Sequence, residues 1–266
     1  MIAVVSALTG VELAGGRPTI FFLDEDQRVT LRDIGSREEI LRWAEHFGAE
    51  VHELELRSQF RCNGSDGYLA WLDNALQIRP TAHTDLSGFD YDFQVFPSPG
   101  ELRDFIFARN EENQRSRLVA GYCWNWASKK DPAAHDIVFP EHDFRMRWNL
   151  AEDGGLWIMK PESINEIGCI HTCQGLELDH VGVIVGEDLV VRDGRVLTQP
   201  EKRARHDSSI HGYKKRLKAD PERARAEARA IVLNTYRTLM TRGMKGCGVY
   251  CVDEETGEYF RGVLAG

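Results

Sequence analysis

Four short polar segments carry the residue types that could do chemistry. They lie at 21–27, 58–62, 170–177 and 236–242, and each stands at the end of a strand-like or helix-like stretch. In an open α/β sheet, the loops that leave the carboxyl ends of the strands form the ligand crevice. The polar side chains of these segments are therefore the first candidates for a functional site.

The first segment contains three consecutive acids, Asp24, Glu25 and Asp26. Their carboxylate oxygens could hold Mg²⁺, as in a nuclease. Three consecutive residues cannot all point to one face of a strand, however, and a two-metal site needs acids that converge from separate elements. The pattern therefore disfavours a nuclease.

Cysteines and a histidine in and near the third segment, together with two cysteines near the C-terminus, are a possible set of zinc ligands. Cys169, His171 and Cys173 alternate along a predicted strand and would share a face, and Cys247 and Cys251 repeat the same cysteine spacing. Structural zinc sites usually have closer cysteine pairs in loops, and thiols in strands are more often small buried apolar groups. We therefore predict no metal site.

Aromatic and basic residues outside the four segments could contact nucleic acid. Tyr122, Trp124 and Trp126 could stack single-stranded bases, although alternating aromatic residues are also normal in a packed strand. Lysines and arginines crowd between 202 and 218, within a charged stretch at 187–219. That stretch indicates either a solvated loop or a basic surface.

The elements that must position these residues follow an alternating pattern. Short β-branched or aromatic runs at 19–23, 51–57, 92–96, 118–124, 166–171, 181–185 and 246–252 predict strands. Capped amphipathic stretches predict helices that begin after Ser36, near 66, after Ser98 and after Asp220. This alternation is typical of βαβ units, so we predict an α/β fold with a mostly parallel sheet.

Composition narrows the class of protein. The 266 residues are 42% hydrophobic and 28% charged, which is ordinary for a soluble globular protein. No apolar run is long enough to span a bilayer, and no basic region precedes the apolar residues at the N-terminus, so we expect a cytoplasmic protein with no membrane partner. The formal net charge of −9 means that nucleic-acid binding would need a local basic patch.

In order, the segments at 24–27, 58–62, 171–177 and 238–242 resemble motifs III, IV, V and VI of superfamily 1 helicases. The version here looks like the Schlafen-like bacterial DNA/RNA helicase family, which is related to the helicase domain of long Schlafen proteins. The order of all four segments carries the resemblance. It implies a RecA-like fold of the P-loop NTPase type, with a mostly parallel sheet flanked by helices.

The resemblance also implies roles for the site residues. Arg61 and Arg242 match the two arginines that reach the γ-phosphate across the cleft between RecA-like domains, where a guanidinium can engage two oxygens. Gln27 matches the motif III glutamine that reports the phosphate state to the nucleic-acid side. Glu177 matches an acid near the nucleotide ribose, and Gly175 would let the backbone approach the ligand.

The nucleic-acid contacts and the domain division are implied in the same way. His171 and Thr172 would face the phosphates of DNA or RNA. The sequence has no Gly-Lys dipeptide, so the phosphate-binding loop is absent. On this interpretation residues 1–50 end a first RecA-like domain, and residues 51–266 form the second with its insertion at 187–219. ATP and Mg²⁺ would then bind only when an upstream domain or protein supplies the first half, and no cofactor would bind tightly to this chain alone.

Two hypotheses follow. In the first, the chain is half of an ATP-dependent nucleic-acid translocase, with the basic cluster at 202–218 helping to hold the strand. In the second, it is a non-catalytic nucleic-acid-binding or regulatory module that kept the fold. An upstream reading frame that encodes a phosphate-binding loop would favour the first. In either case we predict that the residues around Arg61, 174–177 and Arg242 converge on one edge of the sheet, in a solvent-exposed crevice.

Overall fold

The computed structural model describes residues 2–8, 19–32, 36–55, 62, 66–131, 133–149, 154–173 and 175–265. The strands are β1 (Ile2–Leu8), β2 (Thr19–Leu23), β3 (Ala49–Glu55), β4 (Asp92–Val95), β5 (Ser116–Ala120), β6 (Ile137–Phe139), β7 (Phe144–Trp148), β8 (Glu166–Gly168), β9 (Leu178–Val185), β10 (Leu189–Arg192), β11 (Arg195–Thr198) and β12 (Gly243–Cys251). The helices are α1 (Arg37–His46), α2 (Asp66–Ala75), α3 (Pro99–Asn113), α4 (Ile170–Cys173), α5 (Tyr213–Ala219), α6 (Pro221–Met240) and α7 (Glu254–Ala265).

A seven-stranded sheet organises the molecule, in the order β4-β12-β9-β5-β8-β7-β6. Its neighbouring strands are parallel except for β6, which runs antiparallel to β7. All residues of β5 and β9 are buried, which explains their nearly continuous apolar runs, since a parallel sheet is covered on both faces. The sheet confirms the predicted α/β class and is consistent with a RecA-like fold.

Helices cover both faces of this sheet. One core cluster contains Trp71 of α2, Tyr236 of α6 and Phe260 of α7. The other contains Leu102 and Ile106 of α3, together with apolar residues of β5 to β8. The two cores cover the two faces of the sheet. Both ends of its parallel strands therefore remain available for loops that form a binding site.

The first three strands do not join this sheet. β1 pairs antiparallel with both β2 and β3, and Ala3 lies opposite Phe22 on one side and Leu54 on the other. The strand that the sequence placed at 51–57 in the parallel series is therefore β3 of a separate sheet. Its alternation of charged and apolar residues suits an antiparallel strand with one solvated face. The proposed domain division at residue 50 stays a prediction.

The predicted helix starts are confirmed by their capping hydrogen bonds. Ser36 accepts from the amide of Glu39 at 3.2 Å, and Ser98 accepts from the amide of Glu101 at 3.1 Å. Asp220 caps α6, the long helix that ends at motif VI. Such caps satisfy amides that have no partner inside the helix. None of the helices in the described ranges is long and apolar enough to cross a membrane.

Two predicted strands end earlier than expected. The strand predicted at 166–171 stops at Gly168, and residues Ile170–Cys173 form α4. The strand predicted at 118–124 stops at Ala120, so Tyr122 to Trp126 lie in a loop. Both sequences alternate in a way that suits a strand, but tertiary packing at the end of the sheet overrides that preference. The strand geometry assumed for a zinc site at 169–173 is therefore wrong.

Candidate functional site

The segment 169–177, which includes the residues that resemble motif V, connects one edge of the sheet to the other. β8 ends at Gly168 on the carboxyl edge, where the parallel strands end, and β9 begins at Leu178 on the amino edge, where they begin. At Gly168 a Cβ atom would lie 2.7 Å from Trp157 and 2.8 Å from Sγ of Cys173. Glycine is therefore required there, because α4 packs directly on the strand end.

His171 and Thr172 lie on the carboxyl edge and line a cleft of about 780 Å³. His171 is exposed, and the Thr172 hydroxyl donates a hydrogen bond to Oδ1 of Asn149 at 2.9 Å. The cleft is formed by loops that follow the strand ends. Its lining residues are Tyr122, Trp126, Lys129, Lys130, Asn149, Cys169, His171, Thr172, His206, Asp207 and Ser208.

The cleft combines cations with aromatic rings. Lys129 and Lys130 are exposed, and Nζ of Lys129 lies 5.8 Å from the ring centroid of the half-buried Trp126. Tyr122 stacks on the buried Trp148 with ring centroids 5.3 Å apart. Burial, followed by the nearby Cys169 and two aspartates, raises the pKa of Tyr122 to about 12, so its hydroxyl stays protonated. The cleft thus offers hydrogen-bond donors and positive charge beside flat apolar surfaces.

The sequence interpretation found only part of this cleft. Of the three aromatic residues that it named, Tyr122 and Trp126 line the cleft, whereas Trp124 packs against Phe139 and Trp148. It missed the two lysines, although they follow the aromatic run almost directly. It also missed Asn149 and His206, which come from distant segments and give no local signal.

Arg242 lies on the amino edge, beside the other end of motif V. Its Nη1 donates to the carbonyl of Leu176 at 3.3 Å, and its Nε donates to the carbonyl of Thr238 at 3.0 Å. Its own carbonyl accepts from the amide of Leu178 at 2.9 Å. Arg242 is only 4% exposed, so the expected solvent-exposed position is wrong. Its N–H groups instead satisfy carbonyls at the end of α6 and before β9.

The other residues assigned to this side are placed as follows. Glu177 and Gly175 are exposed, and Gly175 has a φ of +88°, a backbone conformation that favours glycine. Arg61 and Gln174 lie outside the described residues. Cys62, which follows Arg61, is buried with its Sγ 3.8 Å from the carbonyl of Thr241. The described ends of motifs IV and VI are therefore in contact.

Two buried tyrosines donate hydrogen bonds to carbonyls of the turn that contains Arg242. The hydroxyl of Tyr68 donates to the carbonyl of Met240 at 2.9 Å, and that of Tyr91 donates to the carbonyl of Gly243 at 3.1 Å. The two rings stack with centroids 3.7 Å apart. Burial raises the pKa of both phenols well above its usual value, so they remain donors.

Motif III docks on the same long helix as motif VI. Gln27 ends a short 3₁₀ turn, and its amide donates to the carboxylate of Asp24. Asn234 of α6 donates to the carbonyls of Glu25 and Arg28 at 3.1 and 3.0 Å. These contacts place Gln27 against α6, but they do not test its proposed role.

The acids and thiols that could hold a metal have other surroundings. Asp26 forms an ion pair with Arg79 at 2.6 Å, and Asp24 accepts from Gln27. Burial raises the pKa of the Cys173 and Cys247 thiols well above its usual value, as expected for small groups packed in the core. Within the described ranges, no group of three histidine, cysteine or acidic side chains is placed to hold a metal ion.

Comparisons with known proteins place this geometry in a family. An uncharacterized protein of Saccharomyces cerevisiae is 23% identical over 219 residues, which cover 76% of this chain and 46% of that protein. The chain therefore matches less than half the length of that relative. No solved structure matches the chain. The model of the family described as Schlafen group 3, DNA/RNA helicase domain matches residues 12–253, and the chain therefore belongs to that family.

Proposed function

We propose that this chain is the C-terminal RecA-like half of an ATP-dependent DNA or RNA helicase or translocase, of the Schlafen-like type known from bacteria. The supporting observation is the separation of its candidate residues between two edges of one sheet. His171 and Thr172 line the cleft at the carboxyl edge, and Glu177 and Arg242 lie at the amino edge. Nucleic acid would bind the first edge and nucleotide the second.

The cleft suits a single strand of nucleic acid. Lysines neutralise phosphates without reading sequence, and aromatic rings stack bases of any type. Lys129 and Lys130 supply the first contact, and Trp126 offers a ring for the second. The His171 ring adds a short-range donor to a phosphate, and the Thr172 hydroxyl would exchange its present acceptor, Oδ1 of Asn149, for a phosphate oxygen. A local basic site of this kind can bind nucleic acid despite the net negative charge of the chain.

At the amino edge, Arg242 would exchange its present partners for phosphate. A γ-phosphate is negatively charged and offers a guanidinium two oxygens at once, so it competes well with the neutral carbonyls of Thr238 and Leu176. Arg61 would supply the second guanidinium and Gln27 the link to the nucleic-acid side. Glu177 would approach the ribose, and Gly175 leaves open space, since no atom of another described residue lies within 4 Å of where its Cβ would be. ATP and Mg²⁺ would require the phosphate-binding loop of a first RecA-like domain.

A second candidate function is a non-catalytic nucleic-acid-binding module. The burial of Arg242 against two carbonyls favours it, because its Nε and Nη1 already have acceptors without a phosphate. The two functions share the cleft and differ at the amino edge. Adding a domain that carries a phosphate-binding loop distinguishes the two functions. If the chain is a helicase half, the mixture would hydrolyse ATP and Arg242→Ala would abolish that activity; a non-catalytic module would support no hydrolysis.

Nucleic-acid binding is tested by removing the cleft lysines. The double variant Lys129→Met/Lys130→Met should bind a fluorescent single-stranded oligonucleotide about tenfold more weakly than the parent, and the slope of log K against log salt should fall by about 1.5. For each phosphate that loses its lysine, one fewer counterion is released when the oligonucleotide binds. Fluorescence anisotropy at several salt concentrations measures both quantities.

The matched control is Lys214→Met/Lys215→Met, which removes two exposed lysines of α5 from the basic cluster at 202–218. It makes the same change in net charge away from the cleft. We expect at most a twofold effect on affinity. Equal loss in both double variants would show that the cleft is not the binding site, and a larger loss in the control would assign the strand to the basic cluster.

The isolated chain is expected to hydrolyse ATP no faster than a buffer blank. Phosphoryl transfer needs a cradle for the β- and γ-phosphates and a Mg²⁺ ligand, and this sequence has no phosphate-binding loop. Phosphate release by the purified chain, with and without oligonucleotide, measures it. Steady turnover that disappears in Arg242→Ala would contradict the assignment of this chain as the half without the loop.

A further inference from the structure

The segment 199–212, named here the wall loop, forms one side of the cleft. His206, Asp207 and Ser208 line the cleft from this loop. The sequence indicated a solvated loop or a basic surface in this region. The structure instead buries Arg203, Ala204, Asp207 and Ser209 within it. The wall loop is therefore packed against the rest of the protein, and specific contacts must hold it there.

A buried ion cluster supplies that packing. Nε of Arg203 donates to the carboxylate of Asp207, and Nη1 lies 3.7 Å from Oδ2 of Asp188. The side chains of Arg203, Asp188 and Asp207 are 0, 0 and 1% exposed. Burial disfavours the charge of Arg203, but the two aspartates outweigh burial and its pKa is raised. Arg203 is thus a buried cation between two acids.

The cluster ties the wall loop to the sheet and to α6. The amide of Ala204 donates to the carbonyl of Tyr122 at 2.8 Å, next to the end of β5. Asp207 accepts from the amide of Ser209 at 2.8 Å, which closes the loop on itself. Asp188 accepts from the hydroxyl of Tyr236 on α6. Arg203 is the residue that joins the two acids, and hence the loop to the sheet.

The chemistry of the cluster favours a positional role over a stabilising one. Two atoms of Arg203, Nη1 and Nη2, make no hydrogen bond to the residues that the structure describes. Buried charges cost much desolvation, and apolar side chains of similar volume often stabilise a protein equally well or better. An ion cluster has directional contacts that apolar side chains lack, so it can fix one position of a loop.

We propose that Arg203 is a positioning residue that holds the wall loop on the carboxyl edge and so completes the nucleic-acid cleft. This inference rests on the proposed function, because the wall affects binding only where nucleic acid occupies the cleft. Arg203 itself does not line the cleft and contacts no ligand there. Its loss should release His206 to Ser208 from the cleft and leave the lysines on the opposite loop in place.

The test compares Arg203→Met with Arg225→Met. Arg225 is an exposed arginine of α6 outside the wall loop and the basic cluster, so the two variants make the same change in charge. In the free protein, hydrogen exchange at the amides of Ala204 and Ser209 should become at least about tenfold faster in Arg203→Met only. Amides of β12 should exchange as in the parent, which separates release of the loop from general destabilisation.

Oligonucleotide binding supplies the second measurement. Arg203→Met should weaken the binding of a single-stranded oligonucleotide about tenfold without changing the salt slope, because Arg203 neutralises no phosphate. Arg225→Met should change the affinity less than about twofold. Unchanged exchange at Ala204 and Ser209, equal weakening in the two variants, or a reduced salt slope in Arg203→Met would each overturn the proposal.

A second, milder variant tests the proposal in case Arg203→Met does not fold. Asp207→Asn keeps the size of the side chain and an acceptor oxygen for Arg203, and it removes one charge of the cluster. It should give the same pattern of exchange and binding with smaller effects, and unchanged exchange would overturn the proposal. If the parent chain binds no oligonucleotide, the proposed function fails, and the exchange data alone decide whether Arg203 holds the loop.

Discussion

Replacement of Arg117 by methionine is expected to lower the free energy of unfolding by about 3–5 kcal/mol. Arg117 lies on the central strand β5 and is fully buried. It donates to Oδ1 of Asn110 at 2.6 Å, to Oγ of Ser163 at 2.9 Å and to the carbonyl of Ile158 at 2.9 Å. Methionine fills the volume of the stem but leaves these acceptors unsatisfied in the core.

Urea denaturation measures this effect, and Arg115→Met is the matched control. Arg115 has a side chain that is 50% exposed, 3.4 Å from Asp179, and an exposed pair of this kind contributes less than about 1 kcal/mol. Equal stability of the two variants would contradict the structural role of Arg117. Loss of Arg117 should also disturb the cleft. Arg117 contacts the ring of Trp157, and Trp157 packs against Gly168, next to α4, which carries the cleft residues His171 and Thr172.

Gly121→Ala is expected to lower the free energy of unfolding by about 3 kcal/mol. A Cβ at this position would lie 2.0 Å from Oη of Tyr236 and 2.6 Å from its Cζ. The tyrosine ring is fully buried, and its hydroxyl accepts from the amide of Gly186 at 2.9 Å and donates to Asp188. The ring cannot move without breaking these bonds, so the core must expand.

A second substitution tests this explanation. Tyr236→Phe removes the nearest atom, so Gly121→Ala should cost less in a Tyr236→Phe background than in the parent, a coupling that a double-mutant cycle measures. Gly262→Ala in α7 is the control, since nothing lies within 4 Å of its added Cβ, and it should stabilise by up to about 1 kcal/mol. Additive effects of the substitutions at 121 and 236 would refute the steric argument.

Features that depend on neighbouring residues in sequence were predictable. The caps at Ser36, Ser98 and Asp220 are local hydrogen bonds, and each was read from the few residues around it. The apolar run at 181–185 in the buried strand β9 is likewise a local signal. These signals were sufficient to predict an α/β fold with a parallel sheet, although not the separate sheet of β1 to β3.

Features that depend on distant partners were not predictable. In the sequence Arg203 resembles the surface charges around it, because its partner Asp188 precedes β10 and meets it only after folding. The burial of Arg242 likewise depends on the carbonyl of Leu176, which belongs to another motif. Residues 170–173 alternate like a strand, and only their packing against Gly168 and Trp157 explains the helix.

The same limit applies to the candidate site. The resemblance to helicase motifs identified His171 and Thr172, because these lie inside a motif. Lys129 and His206 line the same cleft but belong to no motif, and they approach it from loops after different strands. Whether these residues meet in one cleft therefore depends on the order of the strands in the sheet, and that order could not be predicted from a single sequence.

The position of β12 has a consequence for synthesis of the chain on the ribosome. β12 lies between β4 and β9, and among the described strands β4 pairs with β12 alone. Translation produces β4 long before β12, so a nascent chain carries an unpaired strand and a second open strand edge on the apolar β9 until residues 243–251 emerge. Open edges of this kind recruit other chains. We therefore expect translation that stops before residue 243 to leave a product prone to aggregation.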